Sequence, residues 1–124
     1  MVGRGSLYVN TKAADRADAD LATRLRDGDA ATRLEIATYR TTQEMRDACA
    51  LLLSWDRRAA HTVLEIGKDT KRRSIVLFAR QTMHNYIGDY TPRDVAAAEK
   101  VLNDPQRAWD SAKHRKKGPP KQVA

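Results

Sequence analysis

Apolar residues recur at every third or fourth position along most of the chain, which is the spacing of one face of an α-helix. Ala14, Ala17, Leu21 and Leu25 follow this rule near the start. The pattern, read with its breaks, predicts helices over residues 10–27, 29–40, 41–67, 69–88, 91–102 and 104–116. The sequence therefore predicts an all-α fold, a compact bundle of five to six helices.

Capping residues mark the predicted helix starts. Thr41 and Glu44 have the spacing of a capping box. The dipeptides Thr91-Pro92 and Asp104-Pro105 each place a capping residue before a proline at the first helical position. Asp69 is predicted to cap the helix that follows it.

Glycines mark the predicted helix ends, because glycine adopts the left-handed conformation at the lowest cost. Gly28, Gly67 and Gly88 are the predicted stops. Residues 30–40 and 60–66 also alternate like strands, so the pattern leaves helix or strand open there. The second strand would break the long helix over 41–67 near residues 59–62.

The 124 residues fit a single domain, predicted as a flexible arm over 1–9, a helical core over 10–117 and a tail over 118–124. Hydrophobic residues make up 41% and charged residues 31%, a balance typical of globular rather than disordered proteins. Aromatic residues are only 6%, so the core is expected to consist mainly of Ala, Leu, Ile and Val. Four larger side chains are predicted to be core residues: Leu52, Trp55, Phe78 and Val95.

The net charge of +7 is unevenly distributed along the sequence. Residues 1–62 hold 10 Lys/Arg and 9 Asp/Glu, whereas residues 63–124 hold 13 and 7. A basic half of this kind is expected if one surface meets a polyanion. The charge therefore predicts a nucleic-acid partner.

Cysteine usage and hydropathy bear on the compartment. The single cysteine, Cys49, excludes an intramolecular disulfide and fits a reducing compartment. The first nine residues lack the apolar run of a signal peptide. No stretch approaches the roughly 20 apolar residues of a membrane span. We expect a cytoplasmic protein with no membrane partner.

Residue types that carry catalysis are sparse. His61, His84 and His114 lack the spacing of metal ligands, and His61 with Glu65 would supply only two. Cys49 lies within an apolar stripe, where a thiol is buried and unreactive. Glycine-rich phosphate loops and nucleophile motifs are not found. The sequence predicts a protein that is not an enzyme, with no cofactor and no metal.

The stretch "DTKRRSIVLFARQTMHNYIG", residues 69–88, joins a basic start to an apolar middle. A DNA-recognition helix needs a polar face free to meet base edges, whereas "SIVLFA" has the composition of a core. We therefore predict a core helix bordered by a basic ridge that contacts phosphates, and an ordinary solvated face is the alternative. The basic ridge consists of Arg57, Arg58, Lys68, Lys71, Arg72, Arg73 and Arg80.

A second basic element is the run "KHRKKGPPK", residues 113–121, here called the basic tail. Its predicted phosphate-binding residues are Lys113, Arg115, Lys116 and Lys117. If the two long helices pack antiparallel, Arg57 and Arg58 would lie near Arg72, Arg73 or Arg80 and form a guanidinium patch. The alternative is local pairing within the helix, with Asp56 as one partner. Trp109 is predicted as a core anchor, and a base-stacking surface is left open.

The segments "KDTKRR" (68–73) and "KHRKK" (113–117), with Arg80 and Arg57-Arg58, give a small helical protein with a basic ridge. In this respect the chain resembles the small helical subunits of CRISPR effector complexes, which act in antiviral defence. The resemblance is one of architecture and covers most of the chain. It implies a place in the belly of the complex, beside the crRNA-bound backbone subunits.

The resemblance also implies the partners: RNA, single-stranded DNA or both, together with other protein subunits that include copies of the chain arranged head to tail. The sequence thus favours a non-catalytic nucleic-acid-binding subunit of a ribonucleoprotein or nucleoprotein assembly. Two alternatives stay open. One is a helix-turn-helix DNA-binding regulator of phage or plasmid origin, and the other is a helical adaptor whose charge is incidental.

Overall fold

The computed structural model describes residues 11–86 and 88–110, and all regular structure within them is helical. The all-α prediction is confirmed, and residues 30–39 and 60–66 are helical rather than strands. The elements are α1 (Thr11–Arg16), α2 (Ala19–Asp27), α3 (Ala30–Tyr39), α4 (Thr42–Trp55), a 3₁₀ turn (Arg57–Ala59), α5 (Ala60–Asp69), α6 (Arg73–Asn85) and α7 (Pro92–Leu102).

Both predicted capping sites at Thr residues are confirmed. The Thr41 hydroxyl accepts a hydrogen bond from the Glu44 amide at 3.0 Å, and the Glu44 carboxylate accepts one from the Thr41 amide at 2.8 Å. Thr91 and Asp94 form the same reciprocal pair at the start of α7, ahead of Pro92. These pairs satisfy amides that the first helical turn leaves without partners.

The helix predicted over residues 10–27 is interrupted. The carboxylate of Asp18 accepts hydrogen bonds from the amides of Asp20 at 2.9 Å and Leu21 at 3.3 Å, so Asp18 caps a new helix. The prediction of one continuous helix was wrong, because the apolar spacing continues across the cap.

The long helix predicted over residues 41–67 is also wrong, because the chain becomes extended at Asp56. The Asp56 carboxylate accepts a hydrogen bond from the Arg58 amide at 2.9 Å and begins the 3₁₀ turn. The Tyr90 hydroxyl accepts a hydrogen bond from the Ala60 amide at 3.0 Å and donates one to the Arg57 carbonyl at 2.7 Å. Tyr90 therefore stabilises the turn through hydrogen bonds between positions that are distant in the sequence. The local sequence does not reveal such a contact.

The three glycines are not left-handed helix stops. Gly28 is extended, with φ −77° and ψ 161°. Gly67 lies inside α5, where a Cβ atom would lie 2.6 Å from Val76 Cγ2, so Gly67 permits the close approach of α5 and α6. Helix α6 ends at Asn85, before Gly88 is reached.

Asp69 does not cap α6. It is the last residue of α5, and its carboxylate pairs with the Arg33 guanidinium at 2.7 Å. Arg72 occupies the N-cap position of α6 and makes no side-chain capping bond. The ion pair between Asp69 and Arg33 therefore links α3 to the C-terminal end of α5.

The segment after α7 returns to the turn between α5 and α6. The Asp110 amide donates a hydrogen bond to the Lys71 carbonyl at 2.8 Å, and Trp109 packs against the core. The helix predicted from Asp104 to Lys116 is not formed over residues 104–110, because Asp104 caps a short turn through the Gln106 amide. Residues 111–116 lie outside the described residues.

One hydrophobic cluster includes residues from every helix between α2 and α7, and α5 and α6 pack antiparallel at its centre. Leu52 is 1% exposed, which confirms its predicted place, whereas Phe78 and Val95 are only partly buried at the edge of the cluster. Trp55 is 46% exposed, so its core assignment was wrong. It is the last residue of α4, and no further helical turn covers it. Among the described helices, none has the length and apolar character needed to cross a membrane.

Leu52→Ala is expected to lower the free energy of unfolding by about 2–5 kcal/mol, because it leaves a cavity in a filled core. Leu34→Ala is the matched control, since Leu34 is 46% exposed, and its effect should stay within about 0.5 kcal/mol. Urea titrations of both variants measure the difference. Equal effects would show that the α4 stripe does not form the core.

Candidate nucleic-acid interface

The folded part of the chain is nearly neutral. Residues 11–110 hold 17 Lys/Arg and 16 Asp/Glu, and the basic tail holds five of the six remaining cations. Almost all of the net charge of +7 therefore lies outside the described residues. A polyanion would be attracted by the tail and by those cations of the folded part that have no acidic partner.

Three members of the basic ridge are paired with carboxylates. Such a pair binds phosphate less readily, because the carboxylate must first be displaced. For two of these three cations, the carboxylate belongs to a residue that is distant in the sequence. The pairs are Arg57 with Asp89 at 2.6 Å, Arg80 with Glu99 at 3.0 Å and Lys68 with Glu65 at 3.5 Å.

Arg72 is not a surface residue, so its assignment as a phosphate contact is corrected. Its side chain is buried, with 2% of the residue exposed. The guanidinium donates to the Ala37 carbonyl at 2.8 Å and to the Thr42 hydroxyl. The sequence carried a signal: Arg72 precedes the fully buried Ile75 and Val76 by three and four residues, which places all three on one helical face.

Lys71 and Arg73, here called the basic turn, are exposed and form no ion pair with any described residue. Lys71 has φ 59°, the left-handed region that favours glycine. A side chain there costs roughly 1 kcal/mol. Arg73 opens α6, so the positive end of the helix dipole adds to the charge of the basic turn.

The predicted guanidinium patch does not join Arg57 to Arg73, and Arg72 is buried. The Arg57 guanidinium lies 5.3 Å from the ring centroid of Tyr86, just beyond the end of α6. Arg73 begins the same helix, and 13 residues at about 1.5 Å each separate the two ends by roughly 20 Å. Arg58 follows Arg57 in the 3₁₀ turn, is exposed and has no ion pair within the described residues.

The predicted tail contacts Lys113, Arg115, Lys116 and Lys117 lie outside the described residues. The described chain ends at Asp110, whose amide is bonded to Lys71, and the basic tail begins three residues later in the sequence. The described chain therefore ends beside the basic turn.

Two arginine–tryptophan pairs lie in different electrostatic surroundings. The Arg107 guanidinium lies 5.7 Å from the Trp109 ring centroid, and its buried Nε has no hydrogen-bond partner among the described residues. The Arg26 guanidinium lies 5.6 Å from the Trp55 ring and is bonded to both carboxylate oxygens of Asp27. The Arg107 guanidinium beside Trp109 forms no ion pair with a described residue, whereas the Arg26 guanidinium beside Trp55 is paired with Asp27.

Groups suited to catalysis are not brought together in the part of the chain that the structure describes. Cys49 is fully buried, and burial raises the pKa of its thiol to about 12, so it stays protonated. His61 lies 3.6 Å from the Asp94 carboxylate rather than pairing with Glu65. Three or more potential metal ligands do not cluster anywhere in residues 11–86 and 88–110.

A mainly apolar groove of about 310 Å³ runs between the end of α6 and the start of α7. Met83, Tyr90 and Val95 contribute apolar surface, and the lining also includes the charged residue types His84 and Glu99. It lies at the far end of α6 from the basic turn. It is therefore separate from the candidate nucleic-acid interface.

Comparison with known proteins identifies no relative of the chain. No protein-family model matches it, and neither a curated protein nor a solved structure does. The resemblance to CRISPR small subunits stays a prediction, and function is argued from the residues of this chain.

Arg72 and Arg73 are neighbours in the sequence with opposite environments, so they form a matched pair for mutation. Arg72→Ala should lower the free energy of unfolding by about 2–4 kcal/mol, because two acceptors lose a charged donor. Arg73→Ala should change it by no more than about 0.5 kcal/mol. Thermal and urea unfolding of the two variants test the assignment. A destabilised Arg73 variant beside an unaffected Arg72 variant would contradict it.

Proposed function

We propose that the protein is a non-catalytic nucleic-acid-binding subunit of a ribonucleoprotein or nucleoprotein assembly. It contacts the phosphate backbone through the basic turn and the basic tail. The hydrogen bond from the Asp110 amide to the Lys71 carbonyl carries this proposal. It joins the basic turn, whose two cations form no ion pair with a described residue, to the segment that leads into the basic tail.

The arrangement favours backbone contact over base reading. Lysine and arginine bound to phosphates position a protein without reporting sequence. On α6, among the described residues, the unpaired positive charge lies at the first residue, Arg73, because Arg80 pairs with Glu99, so the helix carries its free cation at the basic turn rather than along its length. Arg57, just before α5, contacts Tyr86, just after α6, so the start of α5 lies beside the end of α6 in space. The two helices thus form an antiparallel pair, whereas a helix-turn-helix crosses at about 90–120°.

The partners proposed are RNA, single-stranded DNA or both, and other subunits of the assembly. The chain would supply electrostatic affinity, and other components would supply sequence selection. The near-neutral body favours the helical adaptor as a second candidate, in which the apolar groove between α6 and α7 receives a protein. The two candidates differ in whether affinity for nucleic acid depends on the basic turn and tail.

The double variant Lys71→Ala, Arg73→Ala should weaken nucleic-acid binding at low salt by a similar factor for two unrelated sequences. Each lost phosphate contact should reduce the slope of log K against log salt by about 0.7–0.9. Removing the charges of Lys113, Arg115, Lys116 and Lys117 should reduce it further. Fluorescence anisotropy over a series of salt concentrations measures both quantities.

The control removes the same charge elsewhere: Arg93→Ala with Lys100→Ala, two exposed residues of α7. This variant should keep the wild-type slope. A loss confined to one nucleic-acid sequence would support base reading instead. An equal loss of affinity in the control variant would show that only the net charge of the protein matters. If the wild-type protein does not bind nucleic acid, the helical adaptor is favoured.

Lys71→Gly separates binding from stability at one residue. Glycine adopts φ 59° without a Cβ clash, so this variant should be more stable than Lys71→Ala by roughly 1 kcal/mol. Both variants lack the ammonium group and should lose the same affinity for nucleic acid. Unfolding and anisotropy measurements on the pair give the two results. Wild-type affinity in the glycine variant would exclude Lys71 from the interface.

A further inference from the structure

We infer that the ligand of this interface is single-stranded nucleic acid and that Trp109 stacks on one of its bases. The inference rests on the proposed function and adds a base-binding residue to it. Sites for single strands combine cations along the backbone with aromatic rings that stack on bases. Duplex bases are already stacked on one another and do not offer a face to a side chain.

The position of Trp109 meets both requirements. The Asp110–Lys71 hydrogen bond brings the backbone that adjoins Trp109 to the basic turn. Trp109 is only partly buried, so the ring is anchored on the core while part of its surface remains accessible. A strand held by Lys71 and Arg73 would therefore pass within reach of an aromatic ring.

Arg107 extends this surface. Its guanidinium lies 5.7 Å from the Trp109 ring centroid and forms no ion pair with a described residue, so it is held by the ring rather than by a carboxylate. A guanidinium plane is itself a surface on which bases stack, and it also attracts phosphate. Together Trp109 and Arg107 provide stacking area and positive charge in one place.

Trp55 is the internal comparison, because it is more exposed but less suited to the ligand. Its guanidinium neighbour Arg26 is occupied by Asp27. On the α4 helix, Trp55 lies 13 residues after Thr42, which contacts Arg72, and about 140° from it around the axis. The ring is thus remote from the basic turn both along the helix and around it.

The two tryptophans allow each ring to be observed alone. Trp55→Phe leaves Trp109 as the emitting residue, and Trp109→Phe leaves Trp55. Both variants would be titrated at low salt with oligo(dT) and oligo(U) of about 15 nucleotides and with a duplex of the same length. Binding itself would be followed by anisotropy of labelled oligonucleotides, and the fold by circular dichroism.

Either single strand should quench the emission of Trp109 in the Trp55→Phe protein, and the duplex should quench it less. Emission of Trp55 in the Trp109→Phe protein should stay unchanged. Quenching by oligo(dT), by oligo(U) or by both supports the inference and indicates which backbone is accepted. Quenching of Trp55 alone, or equal quenching of Trp109 by the duplex, would overturn it.

Trp109→Leu separates stacking from packing. Leucine retains apolar contact with the core but lacks a π face, so binding to single strands should weaken by about 5-fold to 100-fold, while Trp109→Phe stays near the wild type. Equal affinities for the Leu and Phe variants, with the fold intact, would refute stacking. If stacking is refuted but single strands still bind these variants, the proposed function is retained. If the wild-type protein binds no nucleic acid, the proposed function itself is refuted.

Discussion

The buried guanidinium of Arg72 is the constraint on which the arrangement of this bundle depends. A charge removed from water must be satisfied by hydrogen bonds, and Arg72 finds acceptors in Ala37 and Thr42 at the corner between α3 and α4. The turn between α5 and α6 is thereby fixed to a distant part of the chain. Because the middle residue of Lys71-Arg72-Arg73 is drawn inward, the residues on either side are directed to solvent. One buried arginine thus defines the exposed basic turn.

Much of the fold could be predicted from the local sequence, and the predictions that were wrong have a common cause. Thr41 with Glu44 is recognisable because both partners of the capping box lie within four residues. The breaks at Asp18 and Asp56 were missed because the apolar spacing continues across them, and a capping aspartate resembles any exposed acid. Trp55 was placed in the core for the same reason: the helix was assumed to continue past it.

The candidate site was less predictable, because pairing of charges is a long-range property. The sequence identified the cations of the ridge, but the acids that neutralise Arg57 and Arg80 lie 32 and 19 positions away. The folded chain alone shows which cations keep their charge exposed. The return of the segment at Asp110 to Lys71 was likewise hidden, because Asp104-Pro105 is as typical of a helix start as Thr91-Pro92.

The balance of charge within the body has a further consequence for assembly. Strongly charged proteins repel their neighbours over a distance set by the ionic strength. A body with 17 cations and 16 acids creates little such repulsion, so protein surfaces can approach it closely. Which neighbour is accepted would then be decided by shape and apolar area. Under the proposed function, attraction to a polyanion would then depend on the basic turn and the basic tail, and association with protein on the apolar surfaces of the helices, so the two could change independently.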